Sequence, residues 1–120
     1  MAFEVNLQTV SVPASADLST KQFLFGTINA SGQVAVTGAG LASDGVIALG
    51  PSAQGRPCGL ASFPGQIARV MLGASVANGA LLEVDANGKA ITQSAGKIVG
   101  KALSAGASGD IIPALLILMR

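Results

Sequence analysis

From residue 3 to residue 8 apolar and polar side chains alternate, with Phe3, Val5 and Leu7 on one face and Glu4, Asn6 and Gln8 on the other. A period of two is the signature of a β-strand. Beyond Gln8 the apolar face switches to Val10 and Val12, which requires a bulge or a change of partner, and Pro13 followed by Ala-Ser-Ala-Asp ends the run. Residues 1–15 therefore read as an extended N-terminal arm. Its contact residues are Phe3, Val5 and Leu7 on one face and Val10 and Val12 on the other, a pattern suited to adding a strand to a neighbour's sheet. The short polar stretch Asp17–Gln22 reads as a turn or a single helical turn, with Asp17 placed to cap the amides that follow it.

From Phe23 onward short apolar runs alternate with turn signals, among them Ser31-Gly32, Asp44-Gly45, Gly50-Pro51, Pro64-Gly65, Asn78-Gly79, Asn87-Gly88 and Ser108-Gly109. Turn signals recurring roughly every eight to twelve residues predict a mainly β fold, a small barrel or sandwich. The runs place strands over 22–29, 33–37, 45–49, 57–62, 67–72, 80–85, 89–92, 98–104 and 111–118. The clearest local unit is the hairpin from Leu81 to Thr92, whose turn Asp85-Ala86-Asn87-Gly88 ends in a residue free to take positive φ. Only residues 73–82 have helical character, and Asn78-Gly79 limits it to about one turn. No domain boundary falls inside residues 16–120, which read as a single domain.

Composition changes this picture in one respect. Half of the residues are apolar and 11% are charged, against roughly a quarter charged in an ordinary soluble domain. A folded chain so poor in charge is expected to have much of its outside covered by partners. The seven basic residues are scattered, no Trp or Tyr is present, and the formal net charge is +1, so no nucleic-acid footprint is expected. The run from Ile111 to Met119 is interrupted by Pro113 and is about half the length a membrane helix needs. It reads as a buried strand. The start MAFEVNLQTV has no basic stretch ahead of an apolar one, and the single cysteine excludes an internal disulfide, so synthesis in a cytosol is expected.

Candidate chemistry is sparse. There is no histidine, the side chain most used as general base or metal ligand. Glu83 and Asp85 share a strand face, most simply a solvated one. The stretch VAVTGAGLASDG at 34–45 imitates a dinucleotide-binding loop, but Ser43 stands where the third glycine belongs and Asp44-Gly45 stops any helix. GPSAQGRP at 50–57 has the glycine spacing of a phosphate loop, with Arg56-Pro57 where Lys and Ser or Thr are required. Cys58 has no histidine partner and reads as a small buried residue. No catalytic, cofactor-binding or metal-binding residues are assigned.

The order of short motifs resembles a family of tailed-phage capsid decoration, or cement, proteins. The elements are DLSTKQF (Asp17 to Phe23), GQV (Gly32 to Val34), GVIALGP followed by Gly55, ARVMLGASVANGALLEVDANGKA (Ala68 to Ala90) and KIVGKALSAGASGDIIPALL (Lys97 to Leu116). The resemblance implies a compact β fold that assembles as a homotrimer on the major capsid protein at the outer surface of the virion. It implies stabilisation of the shell and no enzymatic activity, cofactor or small-molecule substrate. The alternative from another class is a phage tail component or a carbohydrate-binding β module; four Phe without Trp or Tyr are a poor platform for a sugar.

Overall fold

The computed structural model describes residues 8–120, which form ten strands and no helix. They are β1 (Thr9–Pro13), β2 (Phe25–Ile28), β3 (Val34–Val36), β4 (Gly45–Leu49), β5 (Pro57–Ala61), β6 (Ile67–Met71), β7 (Leu81–Val84), β8 (Ala90–Thr92), β9 (Gly100–Ala102) and β10 (Ile111–Leu116). Every strand expected from Gln22 onward is present, the one over 45–49 at its full expected length and the others shortened. The first of these starts only at Phe25, because Phe23 takes a left-handed backbone with φ 70°. That twist turns its N–H to the Ile47 carbonyl at 2.8 Å and its carbonyl to the Met71 N–H at 3.0 Å. The helical turn expected within 73–82 is absent; Val76 instead forms an antiparallel bridge with Gly106.

The strands make two antiparallel five-stranded sheets, ordered β1-β5-β4-β2-β3 and β6-β10-β9-β7-β8. Of barrel and sandwich, the chain adopts the two-sheet arrangement. The second order is the first one repeated, each strand replaced by its counterpart five places later. Single parallel bridges draw the two edges of each sheet together, Ala14 with Val34 in the first half and Leu72 with Ala90 in the second. The hydrogen bonds repeat as well. Ala14 N–H donates to Arg56 O at 2.9 Å and Leu72 N–H to Asp110 O at 2.8 Å; Ser15 N–H donates to Val34 O and Gly73 N–H to Ala90 O, both at 2.9 Å.

The hairpin turns show how unlike residues make this common unit. Asn29 Oδ1 accepts the Ser31 and Gln33 N–H groups, and Asp85 Oδ1 accepts those of Asn87 and Lys89. An acceptor side chain two residues ahead of the bend satisfies amides that the strands leave unpaired. Gly32 and Gly88 then close their turns at φ 75° and 80°, a region in which a Cβ is disfavoured.

Alternation along the strands gives each sheet an inner and an outer face. Inside the first half Val34, Ile47, Cys58 and Leu60 pack with Ala14 and Leu18, and Val10, Val12 and Val36 lie partly buried against them. Inside the second half Val70, Leu72, Leu82, Val84, Val99, Ile112 and Leu116 form a larger cluster. That cluster also contains Phe25, Val46 and Ala61, from the opposite face of the first sheet to Ile47 and Leu60. The first sheet thus has a core on both faces, and the halves share one hydrophobic interior. Burying a side chain of the size of Phe25 contributes about 1.5–3 kcal/mol, so this contact holds the halves together.

Candidate interaction surface

The groups with chemical potential are used to hold loops. Glu83, expected on a solvated face, is buried, and its Oε1 accepts the Ser94 N–H at 2.7 Å and the Ser94 hydroxyl at 2.9 Å. Those donors, the amide foremost, hold its carboxyl below the usual range. Asp85 shares that face but is spent on its own turn. Cys58 is fully buried, and desolvation pushes its thiol pKa up, which suppresses the reactive thiolate.

The glycine-rich loop after β3 joins the halves. Gly40 N–H donates to Val84 O at 2.8 Å, and its carbonyl accepts the Lys97 N–H at 3.0 Å. Ser43, which stands at the third glycine of the imitated fingerprint, is buried with its hydroxyl 2.9 Å from both the Gly26 and Gly45 carbonyls. Among the described residues no group of three or more His, Cys, Asp or Glu is placed to hold a metal. A cleft of about 340 Å³ between the halves is lined by Gln22, Phe23, Val46, Ala48, Ala61, Ala68 and Arg69. Arg69 is its one ionisable group, so the cleft presents no acid–base pair.

Among the described residues seven large apolar side chains remain on the outside. Leu49 is 69% exposed and Leu41 60%, and Ile28, Phe63, Leu81, Ile111 and Met119 are also exposed. On the outer face of the second sheet the register sets Ile67 against Leu115, Leu115 against Lys101 and Lys101 against Leu81. A neighbouring pair is Ile111 with Met71. The apolar run at residues 111–119, read as a buried strand, alternates between this face and the core: Ile112, Ala114 and Leu116 are buried, whereas Ile111 is exposed and Leu115 only half-buried. Ile67 and Leu81 could be recognised only once the register was known.

Of the arm residues, Phe3, Val5 and Leu7 lie outside the described residues. Val10 and Val12 sit in β1, paired with Leu60 and Cys58 on β5. Their side chains are half-buried over the first half's core. Residues 9–13 are therefore an edge strand of the chain's own first sheet.

No family model matches the sequence, and no curated protein matches it. Among solved structures the chain is similar to the head fiber gp8.5 N base in bacteriophage phi29, with a TM-score of 0.70 and 13% sequence identity. The match covers 96% of this chain and 98% of that one, so the likeness is of the whole fold, carried almost entirely by residues that differ.

Proposed function

We infer that this chain is a structural protein of a bacteriophage head, and that it acts as a decoration protein bound to the outside of the assembled shell. The observation that carries the reading is the end-to-end fold match to a phage head fiber base. The order of motifs supports it independently. So does a surface poor in charge and rich in exposed Leu, Ile, Phe and Met.

The physical route is linkage. A ligand that binds the assembled lattice but not separated capsomers stabilises the lattice by RT ln(1 + [L]/Kd), about 4 kcal/mol per site at a thousandfold excess over Kd. A homotrimer adds avidity, because docking one subunit brings the others to high effective concentration over matching sites. Contacts of this kind are apolar and neutral, and they are expected to survive salt that screens exposed charges.

The test compares decorated and bare heads under heating or osmotic shock and titrates the purified protein back at low and high salt. Decorated heads should resist higher temperature, with binding little changed by salt. Equal stability of the two, or no binding to expanded heads, rejects this reading; binding to glycans or tails instead would promote the alternative.

A further inference from the structure

The two halves do not meet through equivalent faces. Across the outer face of the first sheet Thr9, Ala61, Val46 and Phe25 lie in register. The last three are at most 2% exposed, because they belong to the second half's core. The corresponding row on the second sheet is Ile67, Leu115, Lys101 and Leu81. There Leu81, the counterpart of the fully buried Phe25, is 40% exposed.

The covering side is just as asymmetric. The Gly88 carbonyl accepts the Phe25 N–H at 2.9 Å, and a Cβ on Gly88 would lie 2.4 Å from Val36 Cγ1. A Cβ on Gly32, its counterpart, would meet nothing within 4 Å. Likewise Ala68 and Val70 are buried in β6, whereas Val10 and Val12 at the same places in β1 are only half-buried. Among the described residues the chain therefore makes one contact internally and leaves both complementary sides of the same contact uncovered.

Pairing through like faces would set turn against turn or face against face and leave neither matched to its complement, whereas pairing through unlike faces generates a series that closes into a ring when its rotation allows. We propose that copies of this chain associate head to tail by repeating their internal contact. The Gly32 turn and the Val10–Val12 opening of one copy dock on the Leu81, Lys101 and Leu115 face of the next, and the series closes into a ring. A second copy is the occupant because the chain already carries, in its own second half, a partner shaped for the equivalent face. Lys101 stands where Val46 does in the first half; its aliphatic stem continues the apolar row while its ammonium reaches the rim. The inference gives the homotrimer of the proposed function its contact and rests on that reading only for the number of copies.

The test uses the purified full chain with no capsid present, so its outcome is independent of shell binding. Multi-angle light scattering should give an integer multiple of the 11.8 kDa chain mass, three for the trimer. Gly32→Asn keeps a residue that tolerates positive φ and points into open space within one chain, but fills the contact between copies; the mass should fall to that of one chain. Leu81→Lys should do the same from the other side, and Leu115→Lys serves if that variant does not fold.

Mixing is the decisive arm. Gly32→Asn retains an intact outer face and Leu81→Lys an intact turn, so together they should form a dimer of one copy each that cannot grow. A wild-type chain of single-chain mass at high micromolar concentration overturns the proposal. So do folded variants that keep the wild-type mass, or a mixture that forms no dimer.

Discussion

Replacing Gly88 by alanine tests the contact between the halves with a single methyl group, and Gly55→Ala is its control. Both positions have left-handed backbone, φ 80° and 83°. Both substitutions therefore incur the same cost of placing a Cβ there, about 1–2 kcal/mol, offset by roughly 0.4–1 kcal/mol from the stiffer unfolded chain. At Gly55 nothing lies within 4 Å of the added carbon, whereas at Gly88 it arrives 2.4 Å from Val36 Cγ1 and 3.5 Å from Leu24 Cβ. Val36 is β-branched and stiff at χ1, and Leu24, 5% exposed, meets the added carbon with its own Cβ, so neither gives way by a simple rotamer change. Overpacking of this kind adds about 1–3 kcal/mol. With about 3–6 °C of melting temperature per kcal/mol for a domain of this size, Gly55→Ala should lower Tm by a few degrees and Gly88→Ala by roughly 5–20 °C.

Thermal unfolding followed by circular dichroism at one protein concentration measures both. Val36→Ala in the Gly88→Ala background should recover part of the loss, with a coupling of about 0.5–3 kcal/mol. Equal Tm shifts at the two glycines, or strict additivity in the double variant, would refute the reasoning.

Acid should destabilise the fold through Glu83 and Asp17. Both pKa values are lowered in the folded chain, Glu83 first by the Ser94 amide and Asp17 first by the Ser19 hydroxyl. Their stabilisation is therefore present above the unfolded values and lost as pH falls through the folded ones. Urea midpoints should drop from neutral pH to pH 3, and less steeply in Glu83→Gln. Cys58 should react with a maleimide only on the timescale of unfolding, since it is fully buried; fast labelling of the native chain would contradict the packing of β5. Removing residues 2–12 takes most of β1 and uncovers Cys58 and Leu60, so it should lower Tm clearly, as read by circular dichroism.

Strand positions were legible because the chain marks its turns with chemistry that acts locally. Asn29 and Asp85 bond amides within four residues of themselves, and the glycines that follow need no distant partner to adopt positive φ. Register and face are another matter. Leu81 and Leu82 are adjacent and equally apolar, yet one is exposed and the other fully buried, a choice set by pairing with β9 and β8 across the sheet. Glu83 misled for the same reason: its burial depends on the loop carrying Ser94, brought over the strand by the β8–β9 connection. The repeat escaped sequence reading because its counterparts rarely match in type. Phe25 answers to Leu81, Val46 to Lys101 and Ala61 to Leu115, and what they share is a place in the ladder.

Those substitutions also show that the two halves have been fitted to different surroundings. Exchanging Val46 for a lysine in the first half would bury an ammonium among Phe25 and Ala61, at a cost of several kcal/mol. In the second half Lys101 carries the same backbone role with its charge in solvent. The apolar neighbours Leu81, Ile67 and Leu115 nonetheless persist around it, on a face that the chain's own core does not use. Such a face, left on water, invites non-specific association. In the head-to-tail association proposed above, one lysine within the row keeps the free face wet, while the apolar flanks supply what a specific contact needs. In a chain in which 11% of residues are charged, that single lysine carries the whole charge of the row Ile67, Leu115, Lys101 and Leu81.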